Sequence, residues 1–214
     1  MTAFLTRALR RLGLTLTLGT TPAVQVVTLA NTRAAYEQVY ATEELRAAYL
    51  EPSRLAFYEI VATTVAARAP RSVVDVGCGT GNLLAAIRGA VGPACRLAGV
   101  DFAVSGVELA RSLVPDADLR AESFETYAPG QRFDVVACTE VLEHLEDTAG
   151  MLDLLESLKA DGGQVLITVP DGAIDDFPGH VHFWSEPQLR ALLEPRGLLE
   201  IRRIQGVTLL ALLA

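Results

Sequence analysis

Hydrophobic and polar positions along the chain form two kinds of segment. Short apolar runs rich in valine, isoleucine and leucine, bounded by turn residues, predict buried β-strands. They lie at residues 73–76, 95–101, 117–121, 133–138, 163–170, 198–204 and 207–213. Apolar residues at helical spacing mark residues 82–90 and 103–113 between the first three runs. This alternation predicts an α/β fold with a doubly wound, mostly parallel seven-stranded sheet, whose ligands bind at the carboxyl ends of the strands.

Two further helices are predicted ahead of this alternation, within residues 31–69. Apolar residues recur at spacings of three and four through Tyr36 and Tyr40, Pro52 begins the second helix, and Pro70 ends it. The aromatic residues of these helices fit either of two roles. They could pack against the core, or they could form a lid over a bound ligand.

The segment before these helices, residues 1–30, has arginines ahead of a weakly apolar run at residues 12–18. A membrane span needs about 20 apolar residues, and a run this short is also at the lower limit for a secretion signal. We therefore expect an arm that covers the domain or packs against a second copy of the chain.

The first predicted strand breaks into a loop with glycine at every second position. The sequence Asp-Val-Gly-Cys-Gly-Thr-Gly occupies residues 75–81. Glycine weakens a strand unless the backbone needs a positive φ or approaches something closely, so Gly77, Gly79 and Gly81 point to a ligand-binding loop. This spacing differs from the dinucleotide fingerprint G-x-G-x-x-G. Asp75, inside the apolar run, offers a carboxylate for a cationic or hydroxyl-bearing ligand.

A second carboxylate, Asp101, ends the next predicted strand. It lies 20 residues after Gly81, where nucleoside-binding α/β folds place an acid that accepts hydrogen bonds from ribose hydroxyls. Asp101 could instead stabilise the start of the helix at residues 103–113. The presence of two acids at the ends of consecutive strands favours the ligand site.

Composition restricts the class of ligand. A chain of 214 residues with 50% hydrophobic content can form one domain with a sizeable core. The net charge of −8 disfavours nucleic acid, because binding to phosphates needs clustered lysine and arginine. The three cysteines have no metal-type spacing, so we expect free thiols and a reducing, cytoplasmic compartment.

The motif at residues 75–81 resembles the first motif of the class I S-adenosylmethionine-dependent methyltransferases, which have a Rossmann-like fold. The resemblance implies S-adenosylmethionine as cofactor, a catalytic domain at residues 70–214, and an arm with a helical lid at residues 1–69. It assigns the methionine part of the cofactor to Asp75 and the glycine loop, and the ribose to Asp101. The residues that it implies for cofactor binding are Asp75, Gly77, Cys78, Gly79, Gly81, Asp101, Phe102, Glu122, Ser123, Phe124 and Thr139.

The sequence Glu-Val-Leu-Glu-His after the fourth predicted strand resembles the ubiquinone-pathway O-methyltransferases and related small-molecule enzymes. Some relatives in that group bind a divalent cation through both glutamates, the histidine and a later histidine. By this resemblance Glu140, Glu143, His144 and His182 would bind Mg²⁺ or another divalent cation, with His180 as the other candidate for the later histidine. On a helical turn, the spacings of three and four would place Glu140, Glu143 and His144 on one face.

Without a metal, the same residues could act as acid–base groups. Imidazole titrates near neutral pH, so His144 or His182 could remove the acceptor's proton as catalytic residues together with Glu143. Each histidine could also be a hydrogen-bonded residue that fixes a loop. Phe183 and Trp184 would form a wall for a planar or sugar substrate, or would anchor their loop in the core.

Together these patterns predict an enzyme that transfers a methyl group to a hydroxyl, or to an amine, of a small-molecule acceptor such as a phenol, a sugar or a secondary-metabolite intermediate. The alternatives are a noncatalytic nucleotide-binding module and an enzyme with other chemistry on the same fold. The polar residues on the acceptor side favour catalysis, and the glycine spacing disfavours a dehydrogenase. The apolar arm up to Ala30 and the apolar residues 209–214 could form a homodimer contact.

Overall fold

The computed structural model describes residues 31–214, and its centre is a seven-stranded sheet. The strands are β1 (Ser72–Val76), β2 (Arg96–Asp101), β3 (Asp118–Ala121), β4 (Phe133–Thr139), β5 (Lys159–Pro170), β6 (Leu198–Ile204) and β7 (Thr208–Leu213). Their order is β3-β2-β1-β4-β5-β7-β6. Strands β1 to β5 pair in parallel, and β7 pairs antiparallel with both β5 and β6. The predicted α/β fold with a mostly parallel sheet is confirmed.

The helices lie before the sheet in sequence and between its strands. They are α1 (Arg33–Ala41), α2 (Glu43–Arg46), α3 (Pro52–Ala66), α4 (Asn82–Val91), α5 (Val104–Leu113), α6 (Thr148–Leu158) and α7 (Glu186–Leu193). Short 3₁₀ turns span Ala47–Leu50, Phe124–Thr126, Leu142–His144 and Glu194–Arg196. The segment at residues 31–69 therefore contains three α-helices among the described residues, where the spacing of apolar residues predicted two.

The two faces of the sheet carry separate hydrophobic clusters. Val73 belongs to the cluster that α3, α4 and α5 cover, and its neighbour Val74 belongs to the cluster under α6 and α7. Successive side chains of a strand point to opposite faces, which explains this division. Strand β1 is buried over its whole length because helices cover both faces.

The strand order reverses next to β1, and this reversal positions the site. From β1 the chain passes through α4 to β2 on one side, whereas β4 lies on the other side of β1. In a doubly wound sheet, a crevice opens at the carboxyl ends of the strands at such a point. Asp75, Asp101 and Thr139 all lie at that edge, at or next to the last residue of β1, β2 and β4.

Helices α6 and α7 were not among the predicted elements, although the sequence contains a start signal for each. Asp147 precedes α6, and its Oδ1 accepts a hydrogen bond of 2.9 Å from the Gly150 amide. Ser185 and Gln188 form a capping box at the start of α7. Capping residues can therefore locate helices whose apolar spacing is less distinct.

The apolar end of the chain does not provide the dimer contact that its sequence suggested. Leu209, Leu210, Ala211, Leu212 and Leu213 are buried as part of β7, which is hydrogen-bonded to a neighbouring strand on each side. Burial between β5 and β6 accounts for residues 209–213, so these side chains offer no free apolar surface, and a homodimer through other residues stays a prediction.

The predictions for the arm at residues 1–30 lie outside the described residues. Within residues 31–214, no helix has both the length and the apolar character needed to cross a membrane.

The start of α4 offers a test of packing behind the glycine loop. Gly81 has φ +80°, and a Cβ atom there would lie 2.6 Å from the Cβ of Ala110 in α5. We expect Gly81→Ala to destabilise the protein by about 1–3 kcal/mol, because overpacking and backbone strain add.

Gly89→Ala, later in the same helix, is the matched control, since apart from its chain neighbours and the helix's own backbone no atom lies within 4 Å of the added methyl group. It should stabilise the protein by about 0.5–1 kcal/mol through the better helix propensity of alanine. Urea unfolding measures both variants. Equal unfolding free energies for the two would contradict this account of Gly81.

Candidate functional site

A cavity of about 440 Å³ opens at the carboxyl ends of β1, β2 and β4, and residues of α1 and α3 also line it. Much of its wall is aromatic, formed by Tyr36, Tyr40, Tyr49, Phe57, Tyr58, Phe102, Phe124 and Phe177. A largely apolar cavity of this size with a few polar groups is typical of a small-molecule site.

The N-terminal helices contribute to the core and to the cavity at once. Tyr40 of α1 and Phe57 and Tyr58 of α3 are buried, and the same three side chains line the cavity. The two roles considered for these aromatic residues are therefore not exclusive.

The glycine loop presents backbone to the cavity and packs tightly against neighbouring side chains. Gly77 and Gly79 line the cavity together with Cys78, whereas Gly81 does not. A Cβ atom at Gly77 would lie 2.4 Å from Val141 Cγ2. The loop is glycine-rich partly because neighbouring side chains leave no room for a side chain of its own.

Asp75 is a buried carboxylate on the cavity wall. Its side chain is 1% exposed, and Oδ1 has no hydrogen-bond partner among the described residues. Burial, together with the nearby charge of Asp101, raises the pKa of Asp75 to about 7. A cationic ligand group would offset the cost of this buried charge, so the position suits an ammonium or a similar donor.

Asp101 orders the backbone around the cavity. Its Oδ2 accepts a hydrogen bond of 2.9 Å from the Gly79 amide, and its Oδ1 accepts one of 2.8 Å from the Ala103 amide. Burial raises the pKa of Asp101, while these two bonds lower it. The carboxylate also lines the cavity, and its remaining lone pairs can accept hydrogen bonds from ligand hydroxyls.

The cofactor-binding residues that the resemblance implies after β2 and β3 lie at the same cavity, with one exception. Phe102, Glu122 and Phe124 line it, and Ser123 does not. The Phe102 ring meets the edge of Tyr36 with ring centroids 5.4 Å apart. The two phenylalanine rings and one carboxylate are suited to a planar, hydrogen-bonding ligand group.

Glu140 follows Thr139 at the end of β4, and both line the cavity. The backbone of Glu140 has φ +55°, and its Oε1 accepts a hydrogen bond of 3.1 Å from Thr168 Oγ1. Its Oε2 lies 3.8 Å from Arg54 Nη1 of α3. The prediction of one helical turn carrying Glu140, Glu143 and His144 is wrong, because Glu140 precedes the 3₁₀ turn and adopts a left-handed conformation.

Glu143, His144 and His180 form a compact group of potential ligands. One ligand atom from each lies within 4.8 Å of the others. Glu143 Oε1 is 4.0 Å from Nε2 of both histidines. Both carboxylate oxygens of Glu143 are buried and have no hydrogen-bond partner among the described residues, and the same holds for His180 Nε2. Glu140 and His182 do not belong to this group.

Hydrogen bonds fix which nitrogen of each ring faces Glu143. His144 Nδ1 lies 3.2 Å from the carbonyl oxygen of Gly179, and His180 Nδ1 contacts Asp175 Oδ2. A carbonyl oxygen only accepts, so Nδ1 of His144 carries the hydrogen and Nε2 carries the lone pair. Burial lowers the pKa of His144 to about 4, which keeps its ring neutral near pH 7.

His182 and its aromatic neighbours lie away from the cavity wall. The His182 ring stacks on Trp184 with centroids 4.6 Å apart, and Trp184 packs against the core under α6 and α7. Phe183 is exposed, and none of the three lines the cavity. The geometry favours the anchoring role for Trp184 over the substrate wall.

Arg54 of α3 lines the cavity and was not among the predicted site residues. Of the two candidates for the later histidine, His180 and not His182 lies beside Glu143. Two histidines two positions apart in an irregular loop cannot be distinguished by spacing. No sequence pattern predicts that Arg54 lies beside Glu140, because the two residues are far apart in the chain and meet only in the folded protein.

The fold defines a class of doubly wound α/β proteins, which bind their ligands at the switch point of a parallel sheet, where this cavity lies. A family model described as "Methyltransferase domain" matches residues 49–201. The chain belongs to this methyltransferase-domain family.

Curated relatives match about half of the chain. A ubiquinone biosynthesis O-methyltransferase of Azotobacter vinelandii is 39% identical over 105 residues, which cover 47% of this chain and 44% of that protein. A trans-aconitate 2-methyltransferase of Methylobacterium radiotolerans is 34% identical over 103 residues, covering 48% and 39%. The chain therefore spans less than half the length of these two relatives.

Solved structures share the fold. The N-methyltransferase NodS of Bradyrhizobium japonicum WM9, in complex with S-adenosylhomocysteine, has a TM-score of 0.64 and 22% identity, covering 85% of this chain and 97% of that one. The plantazolicin methyltransferase BpumL, also in complex with S-adenosylhomocysteine, has a TM-score of 0.65 and 15% identity, covering 84% and 94%.

The raised pKa of Asp75 predicts a stability profile for the ligand-free protein. A carboxyl group whose pKa rises from its ordinary value of about 4 to about 7 binds its proton more tightly in the folded state. Its contribution to stability is therefore complete below about pH 4 and is lost as the pH rises to about 7. We expect Asp75→Asn to be more stable than the unaltered protein at pH 8, by at most about 4 kcal/mol, and no more stable at pH 4.

Urea unfolding at several pH values measures this difference. Asp161→Asn is the matched control, because its side chain is fully exposed and the charge change is the same. If Asp75→Asn and Asp161→Asn give parallel pH profiles, Asp75 does not carry the proposed cost of a buried charge.

Proposed function

We propose that this protein is an S-adenosylmethionine-dependent methyltransferase that methylates a hydroxyl, or an amine, of a small-molecule acceptor. The observation that carries the proposal is the pair of buried carboxylates, Asp75 and Asp101, at one mostly apolar cavity. Family membership supports the reaction class. The methyltransferases among the curated relatives support it over a noncatalytic nucleotide-binding module.

The residues present fit this cofactor. The unpartnered, buried Oδ1 of Asp75 suits the ammonium of the methionine part, and the backbone of Gly77 and Gly79 lies beside it on the cavity wall. Asp101 would accept hydrogen bonds from the ribose hydroxyls. Phe102, Glu122 and Phe124 would enclose the adenine, with Ser123 outside the cavity, and Thr139 would lie near the reacting end. Gly81 would act indirectly, by allowing α4 to start close to α5.

Bound S-adenosylmethionine supplies an activated methyl group on a sulfonium. In such a transfer the acceptor oxygen or nitrogen would take the methyl group, the electron pair of the broken carbon–sulfur bond would stay on sulfur, and the acceptor's proton would pass to solvent. The protein's part is to hold the two reactants in line at close distance, which makes a bimolecular step effectively unimolecular. The apolar walls from α1 and α3 exclude water from the reaction.

The acceptor would bind on the side of the cavity that Glu140 and His144 line. Arg54 and Phe57 of α3 line both this cavity and a smaller adjoining one of about 160 Å³, which extends toward Ile174 and Val207. The aromatic and aliphatic lining favours a small acceptor with a planar or apolar body over a highly charged one.

A divalent cation bound by Glu143, His144 and His180 forms the second part of the proposal. One carboxylate and two imidazoles, each with its second nitrogen held by another group, are a donor set that fits Mn²⁺, Fe²⁺ or Zn²⁺ better than Mg²⁺. Such a cation would lower the pKa of an acceptor hydroxyl. His182 is not part of this ligand set, and Glu140 would face the acceptor instead.

His144 as a general base is the less favoured role. A catalytic base works best with a pKa near the working pH, and burial places that of His144 at about 4. A neutral ring with its Nε2 lone pair directed at a carboxylate is better suited to coordination. His182, stacked on Trp184 away from the cavity, offers no geometry for proton transfer.

The cofactor assignment predicts that Asp101→Asn weakens S-adenosylhomocysteine binding by roughly 10- to 100-fold, because hydrogen bonds to a charged group contribute about 1.5–3 kcal/mol. Isothermal titration measures the affinity, with Asp161→Asn as the control for charge. The absence of any binding to the unaltered protein would contradict the proposed function, and equal affinity of both variants would remove Asp101 from the site.

The cation assignment predicts a single Mn²⁺ site in chelator-treated protein, measured by isothermal titration with Mg²⁺ in parallel. Glu143→Gln should weaken Mn²⁺ binding at least about tenfold, since it removes the only charged ligand. Glu146→Gln, an exposed residue three positions later, should leave it unchanged. No Mn²⁺ binding, or equal affinity of the two variants, would contradict this site.

A further inference from the structure

Helix α1 is attached to helix α5 through one carboxylate. Glu37 Oε1 accepts a hydrogen bond of 2.6 Å from the Val104 amide, and Oε2 accepts one of 2.9 Å from the Ser105 amide. Ser105 Oγ donates a third bond of 3.2 Å to the backbone carbonyl of Glu37. Hydrogen bonds from Ser105 lower the pKa of Glu37, so the group is ionised at neutral pH.

These bonds satisfy a helix start that lacks its own cap. Residue Ala103, at the N-cap position of α5, has no side chain that could accept a hydrogen bond. Its amide is bound by Asp101, and the next two amides are bound by Glu37. Two carboxylates therefore bind the first amides of α5: Asp101, which is proposed to hold the ribose, and Glu37 of α1.

The side of α1 that faces the cavity lies over the glycine loop. Tyr40 packs so closely that a Cβ atom at Gly79 would lie 2.9 Å from its Oη, and one at Gly106 would lie 2.8 Å from its Cδ2. Tyr36, one turn earlier, meets Phe102 at 5.4 Å and His144 at 6.2 Å between ring centroids. Helix α1 thus contacts the glycine loop, the cofactor side of the cavity at Phe102 and the acceptor side at His144.

We infer that Glu37 is a positioning residue that holds α1 in place over the bound cofactor and so sets how long the cofactor stays. The inference rests on the proposed function. Helix α1 has nine residues, and an isolated helix of this length is marginal in water, so its position depends on what it is attached to. Because Tyr36 and Tyr40 of α1 line the cavity, a cofactor bound there would lose its contacts with α1 when the Glu37 bonds break, and it would then dissociate faster.

The test compares Glu37→Gln with Glu108→Gln, an exposed glutamate of α5 that carries the same charge change. Stopped-flow measurement with S-adenosylhomocysteine should show a dissociation rate at least tenfold higher for Glu37→Gln, an association rate changed less than threefold, and unaltered rates for Glu108→Gln. A glutamine can accept at one amide only, whereas Glu37→Asp keeps both oxygens and should recover part of the slow dissociation.

Urea unfolding of the ligand-free variants separates positioning from general stability. The inference predicts an unfolding midpoint for Glu37→Gln only slightly below that of Glu108→Gln, because one amide at the start of α5 keeps its bond, while the dissociation rates differ at least tenfold. Equal dissociation rates in the two variants would overturn it, and so would a loss of affinity in Glu37→Gln that Glu37→Asp fails to reduce. If the unaltered protein binds no S-adenosylhomocysteine, the proposed function fails first and this inference fails with it.

Discussion

The central constraint in this structure is the position of β1, which is hydrogen-bonded to β2 and β4 and buried on both faces. A strand in this position can only end at the switch point of the sheet, and its carboxylate, Asp75, must then be buried there. The glycine loop follows directly, with backbone facing the cavity and with Val141, Tyr40 and Ala110 occupying the space that side chains would need. The site is therefore a consequence of where this strand lies.

The second half of the site depends on long-range packing. Helix α1 contacts the start of α5 and the glycine loop, and Arg54 of α3 lies beside Glu140 at the end of β4. These contacts join residues that are far apart in the sequence, and they close a cavity that the sheet alone would leave open. A helix with weak intrinsic stability thus acquires a fixed position through a few polar bonds and two tyrosines.

The strands, the acids Asp75 and Asp101 at the ends of consecutive strands, and the glycine loop could be predicted from the sequence because each is a local feature. A short apolar run and its flanking turn residues mark a strand, and the topology of a parallel sheet brings the carboxylate at the end of one strand close to that of the next.

Glu140 was misplaced because its left-handed backbone depends on the hydrogen bonds that Thr168 makes with it. The choice between His180 and His182 depends on how a loop of irregular backbone folds against Glu143, and no spacing rule determines that. The end of the chain appeared to be a free apolar surface because antiparallel insertion of β7 between β5 and β6 cannot be recognised from its own residues.

A crystal structure of the protein with S-adenosylhomocysteine tests the central claim most directly. The account predicts ribose hydroxyls within hydrogen-bond distance of Asp101, the ammonium beside Asp75, and the adenine against Phe102 and Phe124, with α1 held over the nucleoside. A nucleoside bound elsewhere on the protein, or one that leaves both carboxylates without a ligand contact, would contradict it.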